Sequence, residues 1–381
     1  MEALRASFER GAIVAGVLSG TSADGIDVAI TRIRRAARDV AAPQTLAFSV
    51  EPFPEELRRR VRTVLDASSA TGPREVALLS RDLGRAFGRA ARRAAERAGV
   101  ALDLVASHGQ TVWHHDGVEP EGKATLQLGD GDFVAEEAGC AVASDFRQRD
   151  VAAGGEGAPL SALADGALFA HVERPAAILN LGGMANLTLL GASDAELVAF
   201  DTGPAGSLLD GLARRLLGEA FDRDGARAGK GSPRADLVPR WLEHPFFRRA
   251  PPKSTGRDTF GEAYVSSIVA SARDLRPEDV LASAVELVAA SVGDAMERFL
   301  PPVGRLLVAG GGVRNPVLLE ALARRVPCAV ASSAAVGVDP KAREALVFAV
   351  LGARCALGIP STHPGATGAR AGRVLGKLSA P

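Results

Sequence analysis

The sequence predicts an α/β fold made of two lobes of similar topology, each with a mixed sheet flanked by helices. An apolar run, a glycine-rich polar turn and a second apolar run occupy residues 13–30, and the same order recurs at residues 176–190. Each predicted hairpin leads into a third strand and then into short strands that alternate with helices, the pattern of a largely parallel sheet. The recurrence predicts lobes at residues 1–151 and 152–381, with the C-terminal tail a candidate for packing back on the first lobe.

The first lobe is predicted element by element from apolar periodicity. Short apolar runs that end in polar, glycine-containing loops indicate strands, whereas apolar residues at three- and four-residue spacing indicate amphipathic helices. The predicted strands are residues 13–18, 26–30, 45–50, 104–106, 125–128 and 140–143, and the predicted helices are residues 55–67 and 74–98. The glycine-rich loop at residues 152–159 is the expected boundary or hinge.

The second lobe is predicted in the same way. Its strands are residues 176–181, 187–190, 197–200, 306–308 and 328–331, and its helices include residues 207–217, 234–243, 260–273, 277–299 and 341–357. The tail that begins at Gly358 is rich in glycine, proline and threonine, so it is expected to be irregular.

The composition restricts the class of protein. The chain has 381 residues with 45 Lys+Arg and 45 Asp+Glu, and this zero net charge argues against a basic nucleic-acid-binding face or a polybasic membrane anchor. No apolar stretch reaches the roughly 18 residues of a membrane span, and the N-terminus has no apolar segment typical of a signal peptide. Cys140, Cys328 and Cys355 are far apart in sequence and are expected to be reduced. These features predict a cytoplasmic protein that binds neither nucleic acid nor membrane.

Three glycine-rich segments are candidate phosphate or nucleotide sites. The turn SGTSADG, residues 19–25, offers N–H groups and hydroxyls that can converge on a phosphate, with Asp24 able to orient a metal-bound water; the alternative is a polar hairpin turn. In FDTGPAGS, residues 200–207, a strand ends on Asp201, where a carboxylate suits general-base or phosphate–Mg²⁺ chemistry, or caps a helix. GGGVRNP, residues 310–316, lets the backbone lie against a ligand, or forms a tight turn.

Four further side chains are candidate ligand contacts. His108 in SHGQT follows a predicted strand, although a lone histidine is also often structural. Arg147 and Arg149 in SDFRQRD suit bidentate contact with a carboxylate, the alternative being a surface charge cluster. Glu344 begins a largely apolar helix, either as a residue favoured by the helix dipole or as a ligand contact.

Together and in order, the motifs resemble those of the anhydro-N-acetylmuramic acid kinase family. The matching segments are GVLSGTSADGIDVAI, ASHGQTVWH, LQLGD, SDFRQRDVAAGGEGAPL, LNLGGMANLTLL, FDTGPAGSLLD, FDRDGARA, KSTGRDTF, GGGVRNP, EALVFAVL and ATGA, from about residue 16 to about residue 369. The resemblance implies an actin/hexokinase/Hsp70-like ATPase fold, with two RNase H-like lobes and a central nucleotide cleft. The repeated hairpin agrees with this fold.

The resemblance also implies an activity. Family members use ATP and Mg²⁺ to convert 1,6-anhydro-N-acetylmuramic acid and water into N-acetylmuramic acid 6-phosphate and ADP, in peptidoglycan recycling. Asp201 matches the catalytic aspartate, which would take a proton from the water that attacks C1. A homodimer is implied as well. Two alternatives remain open: a kinase for another 1,6-anhydrosugar such as levoglucosan, and a non-catalytic actin- or Hsp70-like nucleotide-dependent scaffold.

The remaining site residues follow from the same resemblance. Mg²⁺ would be bound through the ATP phosphates, with Asp24 or Asp201 as candidates for contact through water. The implied nucleotide-binding residues are Ser19, Gly20, Thr21, Ser22, Ala23, Asp24, Gly25, Gly183, Gly203, Gly310, Gly311, Gly312 and Asn315. The residues implied to hold the sugar and its lactyl carboxylate are His108, Arg147, Arg149 and Glu344.

The chain departs from the family pattern in two places. After Asp201 the family reads DTGPGN, whereas this chain reads DTGPAG, so Ala205 and Gly206 leave the phosphate-side loop without an amide side chain. The boundary loop of the family reads GGQGAPLVP, whereas GGEGAPLSA here brings in Glu156 and Ser161. Glu156 adds a negative charge where an anionic ligand is expected. Because of these departures, the family resemblance alone does not predict the nucleotide affinity or the sugar preference of this chain.

Overall fold

The chain forms two compact α/β units. The computed structural model describes residues 2–20, 23, 25–65, 71–116, 122–193 and 196–381. One unit combines Met1–Ala170 with Ala342–Pro381, and the other is His171–Lys341. These limits are set by compactness and differ from residue 151, so the lobe boundary expected there stays a prediction.

Strands and helices alternate along both units. The strands are β1 (Ala12–Ser19), β2 (Gly25–Ile33), β3 (Gln44–Pro52), β4 (Leu104–Asp116), β5 (Lys123–Leu128), β6 (Ala141–Ser144), β7 (Ala176–Leu181), β8 (Met184–Leu190), β9 (Val198–Pro204), β10 (Arg305–Ala309), β11 (Ala329–Ser332) and β12 (Lys377–Ser379). The α-helices are α1 (Glu2–Arg10), α2 (Glu55–Leu65), α3 (Pro73–Arg97), α4 (Gly131–Ala138), α5 (Phe146–Ala152), α6 (Ser161–Leu168), α7 (Gly206–Leu217), α8 (Leu237–Trp241), α9 (Arg257–Phe260), α10 (Glu262–Ser271), α11 (Pro277–Phe299), α12 (Pro316–Arg325), α13 (Arg343–Leu357) and α14 (Pro364–Thr367). Within the described part of the chain, no helix combines the length and apolar character needed to cross a membrane.

The first unit is built on a seven-stranded mixed sheet. Its order is β12–β6–β4–β1–β2–β3, with β5 paired to β4. β1, β2 and β3 are antiparallel neighbours, whereas β4 is parallel to both β1 and β6. Helices α3 and α13 pack on β1 and β4. The approach of α13 requires Gly16 in β1, since a Cβ there would overlap the Ala345 carbonyl oxygen.

The second unit is built on a five-stranded mixed sheet in the order β11–β10–β7–β8–β9. β7, β8 and β9 are antiparallel neighbours, and β10 is parallel to β7 and β11. Its core consists mainly of aliphatic side chains from β7, β8 and β10 and from α7, α10, α11 and α12, together with Phe200 of β9 and Trp241 of α8. The long helix α11 is buried along much of its length, which explains its largely apolar sequence.

The two sheets share one topology, as the sequence predicts. The order β3–β2–β1–β4–β6 in the first unit repeats as β9–β8–β7–β10–β11 in the second. In each case an antiparallel three-stranded meander is extended by two parallel strands. The predicted α/β fold with two mixed sheets flanked by helices is therefore confirmed.

Several individual elements differ from prediction. β4 runs through the SHGQT segment to Asp116, because its far half continues as a ladder with β5. The expected helix at residues 234–243 is the short α8. The N-terminal helix α1 and the C-terminal strand β12 were not predicted, and β12 extends the sheet by pairing with β6. Backbone pairing at a sheet edge needs no apolar pattern, so the sequence of the tail did not indicate this strand.

Candidate active site

Asp201 lies in the second unit at a β-bulge in β9. It faces Asn186 across the β8–β9 ladder. Gly203 faces Ala185, and Thr202 is the extra residue between the two pairs. The Thr202 hydroxyl donates to the Ala185 carbonyl at 3.3 Å. Bulges re-aim neighbouring side chains, so this irregularity sets the direction of the buried Asp201 carboxylate.

Residues 253–255 hold Asp201 through backbone hydrogen bonds. The Asp201 N–H donates to the Lys253 carbonyl at 3.0 Å. The Thr255 N–H donates to Asp201 Oδ2 at 2.8 Å, and an amide aimed at a carboxylate favours the charged form. Asp201 is thus held as a hydrogen-bond acceptor, which is the state that a general base needs.

The β7–β8 turn closes on the N-terminus of α7. The Gly183 carbonyl accepts hydrogen bonds from the Ala205 and Ser207 N–H groups at 2.9 and 3.0 Å. The Gly182 carbonyl accepts one from the Gly206 N–H at 2.9 Å. Helix N-terminal amides are a common anion site, but these three donate within the protein. Ala205 and Gly206, which differ from the family pattern, therefore lie at a helix start whose N–H groups already donate within the protein. The nucleotide-binding role of Gly183 stays a prediction.

The GGG turn after β10 contains two closely packed glycines, Gly310 and Gly312, and an open one, Gly311. A Cβ at Gly310 would lie 2.6 Å from the Leu181 carbonyl oxygen, and one at Gly312 would lie 2.5 Å from Leu181 Cβ. Gly310 also has a φ of +83°, which favours glycine. Among the residues that the structure describes, no atom beyond its chain neighbours lies within 4 Å of the Cβ position of Gly311. The open face of this turn is therefore at Gly311, whereas its two neighbours fit closely against β7.

Two other predicted nucleotide residues have structural contacts. Asn315 Oδ1 accepts a hydrogen bond from the Leu318 N–H at 3.1 Å and so caps α12. It also packs against Gly225, where a Cβ would overlap the amide oxygen. A Cβ at Gly203 would lie 2.6 Å from the Phe247 ring. These contacts explain the residue types whether or not a nucleotide binds, and the binding roles remain predictions.

The β1–β2 turn of the first unit is described in part. Thr21, Ser22 and Asp24 lie outside the described residues. The Gly20 carbonyl accepts hydrogen bonds from the Ala23 N–H at 3.1 Å and from Gln110 Nε2 at 3.3 Å. Ser19 is buried at the end of β1, its hydroxyl has no hydrogen-bond partner among the described residues, and Gly25 begins β2. Gln110 supports this turn, and sequence reasoning missed it.

His108 lies at a second β-bulge, in β4 of the first unit. The β1–β4 register shifts between Val17 and Leu18, and His108 is the extra residue on β4. Its buried ring lies against Phe348 of α13, with ring centroids 4.5 Å apart. The bulge thus turns the imidazole toward the helix that carries Glu344.

Arg147 sets the tautomer of His108. Arg147 Nε lies 3.0 Å from His108 Nε2 and can only donate. The ring proton is therefore on Nδ1, which lies 3.1 Å from the Gly109 carbonyl oxygen. Burial, followed by the charge of Arg147, lowers the pKa of His108 well below its usual 6.5. The imidazole is neutral, and both of its nitrogens are engaged within the protein.

Arg147 and Asp150, one turn apart on α5, both form hydrogen bonds with the backbone of Gly157. Arg147 Nη1 donates to the Gly157 carbonyl at 2.6 Å, and the Gly157 N–H donates to Asp150 Oδ2 at 2.8 Å. The Thr367 hydroxyl donates to Asp150 Oδ1 at 2.7 Å. Burial is the main cause that raises the pKa of Asp150. We call these four residues the Gly157 clasp, and it ties the boundary loop to α5 and to α14.

The boundary loop is packed against the Gly157 clasp. Glu156 is buried, and its N–H donates to the Thr367 carbonyl at 2.8 Å. A Cβ at Gly155 would overlap the Asp150 carboxylate. The Glu156 departure from the family pattern therefore lies within a closely packed loop.

The structure brings two of the four sugar-side candidates together. His108 and Arg147 are in direct contact, whereas Arg149 and Glu344 are exposed. Arg149 lies on α5, and Glu344 lies in the first turn of α13, beside the buried Arg343, which pairs with an aspartate of α6. Asp150 was not singled out from the sequence, although its spacing from Arg147 puts both on one helix face.

The oxygen donors of the second unit are compatible with Mg²⁺ held mainly by phosphates. The described residues contain no group of three or more His, Cys, Asp or Glu side chains able to hold a metal ion. Mg²⁺ in nucleotide sites keeps several waters and needs one or two carboxylates besides the phosphates. Asp201 is one such carboxylate, and the half-buried Asn186 opposite it on β8 has a side-chain carbonyl oxygen.

Sequence comparisons with known proteins identify one family. The sequence model of the family described as anhydro-N-acetylmuramic acid kinase matches residues 12–380. A protein of that name from Salinibacter ruber is 41% identical, with all of both chains covered. Another, from Xanthomonas campestris pv. campestris, is 42% identical over 95% of this chain and 96% of its own length.

Similarity to solved structures is more distant. The activator of the 2-hydroxyisocaproyl-CoA dehydratase from Clostridium difficile, with bound ADPNP, has a TM-score of 0.42 and 14% identity, covering 91% of this chain and 96% of its own. The family match spans nearly the whole sequence, including both sheets and the bulges at His108 and Asp201, and the two relatives cover 100% and 95% of this chain. The chain belongs to the anhydro-N-acetylmuramic acid kinase family.

Proposed function

We propose that this protein is an ATP-dependent kinase that opens 1,6-anhydro-N-acetylmuramic acid with water and phosphorylates O6. The products are N-acetylmuramic acid 6-phosphate and ADP. The observation that carries the proposal is the buried Asp201 carboxylate, aimed by the β9 bulge and held as an acceptor by the Thr255 N–H, in a chain of this family.

Asp201 acts as the general base. It takes one proton from a water molecule while the water oxygen forms a bond to C1 of the sugar. The bond between C1 and O6 breaks, and O6 attacks the γ-phosphorus of ATP, from which ADP leaves. Placing water, sugar and nucleotide together lowers the barrier mainly through orientation, because the transferred phosphoryl group needs little covalent assistance from the protein.

The first unit supplies the sugar-side residues. Arg147 and Arg149 are the candidates for the lactyl carboxylate, since a guanidinium can bind a carboxylate in bidentate fashion. Neutral His108 acts on the sugar through Arg147, because both of its nitrogens already have partners. Glu344 is exposed at the start of α13 and is the remaining candidate for a sugar hydroxyl.

Glycine-rich turns are proposed to hold the nucleotide. The residues proposed are those of the turn at 19–25, together with Gly183, Gly203, Gly310–Gly312 and Asn315. The open face at Gly311 supports backbone contact there. Mg²⁺, when bound to the phosphates, supplies charge neutralisation for phosphoryl transfer, with Asp24 or Asp201 reaching it through water.

The location and the oligomeric state are further parts of the proposal. The protein is proposed to work in the cytoplasm as a homodimer, on sugar released during peptidoglycan recycling. Light scattering coupled to size-exclusion chromatography tests the dimer, which predicts twice the 39.3 kDa chain mass.

One assay tests the activity and its substrate. Purified protein is incubated with ATP, Mg²⁺ and either the anhydromuramic acid or levoglucosan, and ADP and sugar phosphate are followed. We expect turnover of the muramic derivative. Turnover of levoglucosan alone would overturn the substrate, and no turnover of either sugar would favour a nucleotide-dependent scaffold.

A further inference from the structure

Lys253 is a buried lysine that the proposed reaction does not use. It is 1% exposed. Its carbonyl binds the Asp201 N–H, and two residues later the Thr255 N–H binds the Asp201 carboxylate. Burying an ammonium is unfavourable unless its charge is compensated, so a lysine at this position needs a physical reason.

The ammonium of Lys253 is held in a cage of three phenylalanine rings. Nζ lies 4.7 Å from the ring centroid of Phe246, 5.4 Å from that of Phe299 and 5.8 Å from that of Phe200. These distances are within the range of cation–π attraction. Nζ also donates to the Phe246 carbonyl at 3.2 Å. The side chain thus anchors its segment to the core of the second unit.

The surrounding charges connect this cage to Asp201. Burial lowers the pKa of Lys253 to about 8, with Arg249 and Arg298 acting in the same direction and Asp201 in the opposite one. The attraction is mutual, so the ammonium in turn favours the Asp201 carboxylate. Phe200 of the cage directly precedes Asp201 in β9, which links the cage to the bulge.

We propose that Lys253 is a positioning residue for Asp201: its caged ammonium fixes residues 253–255 against β9 and keeps the carboxylate aimed. The proposal rests on the proposed role of Asp201 as the base. Lys253 needs no contact with sugar or nucleotide, because it acts through the two hydrogen bonds that its segment makes with Asp201.

Substitution of Lys253 separates this role from a purely structural one. Lys253→Met keeps the chain length, removes the charge and places a thioether against the three phenylalanine rings, a contact that is itself favourable. We expect an unchanged melting temperature, ATP binding within about twofold of wild type and a kcat reduced by about tenfold or more, the range seen when a catalytic group is misaligned. Lys253→Arg, which keeps the charge, should recover most of the loss. A kcat for Lys253→Met within about twofold of wild type would overturn the proposal, as would equal losses for the two variants.

Amide hydrogen exchange gives a readout that does not depend on turnover. The Asp201 and Thr255 amides are the two donors in the contact, so their exchange should be faster in Lys253→Met by about tenfold and close to wild type in Lys253→Arg. Unchanged exchange in Lys253→Met would overturn the anchoring. If wild type turns over no anhydrosugar, the proposed function fails and the exchange experiment still decides whether Lys253 holds Asp201.

Discussion

Two of the β-bulges, one in each sheet, carry candidate site residues of opposite character, His108 on β4 and Asp201 on β9. His108 is an extra residue on β4, neutral and bonded at both nitrogens, with Arg147 as its main partner. Asp201 sits at the bulge of β9, where it accepts an amide hydrogen bond beside the buried ammonium of Lys253. In the shared topology β4 corresponds to β10 and β9 corresponds to β3, so the two bulges lie on strands that are not equivalent. The repeated architecture therefore does not assign the chemistry; the neighbouring side chains do.

We expect the largest effect from a substitution of Asp201 at the bulge in β9. Asp201→Asn keeps the shape but removes the basic carboxylate, so kcat should fall by about 10²–10⁴, the contribution typical of a general base. ATP affinity, measured by calorimetry, should stay near the wild-type value. The exposed Asp236→Asn is the matched control. If Asp201→Asn retains most of the wild-type turnover, Asp201 is not the base.

We expect the next largest effect from a substitution of Arg147, the partner of His108 at the bulge in β4. Arg147→Ala removes hydrogen bonds to His108 and Gly157, and bonds to a charged group contribute about 1.5–3 kcal/mol each. We expect kcat/KM for the sugar to fall by about tenfold or more. Histidine NMR should also show the pKa of His108 moving up toward its usual value, because the repelling charge is gone. Exposed Arg38→Ala is the control, and an unaltered His108 titration would contradict the described contact.

A comparison within the GGG turn sharpens the distinction between packing and binding. Gly310→Ala should lower the free energy of unfolding by about 1–3 kcal/mol, because its φ is positive and its Cβ would meet Leu181. Gly311→Ala should change it by no more than about 0.5 kcal/mol. If the nucleotide lies against the open face, Gly311→Ala weakens ATP binding. Urea unfolding and ATP titration of both variants measure this, and equal destabilisation would contradict the geometry.

The smallest expected effect is the pH dependence of the Gly157 clasp. The folded chain binds the Asp150 proton more tightly than the unfolded chain, since burial raises the pKa of this group above its usual 3.8. Its contribution to stability therefore falls as pH rises through the raised pKa. Asp150→Asn does not titrate, so the stability advantage of wild type over this variant should shrink with rising pH. An advantage that grows with pH would show that Asp150 is held charged.

Much of the fold follows from the sequence because it depends on apolar periodicity. The two glycine-turn hairpins and the long helix α11 were predicted close to their observed positions. The continuation of β4 through SHGQT was missed, because its polar residues pair with β5 and look like a loop in sequence. Strand β12 was missed because its pairing with β6 is made by the backbone.

The candidate site was predictable as a set of residue types but not as contacts. Asp201, His108 and Arg147 stand in recognisable motifs. That His108 and Arg147 are partners depends on a bulge and on a helix, and neither is visible in a linear pattern. Lys253 also stands in a motif, but its link to Asp201 appears only when the segment lies against β9.

The central claim is that Asp201 activates a water molecule for attack on C1 of an anhydrosugar while O6 takes the phosphoryl group. The most direct test runs wild-type turnover of anhydromuramic acid with ATP and Mg²⁺ in H₂¹⁸O, with early quenching and mass spectrometry of the product. The account predicts one ¹⁸O, on the C1 oxygen of the sugar 6-phosphate, and none in the phosphoryl group. Label in the phosphoryl group, or an unlabelled sugar phosphate, would contradict it.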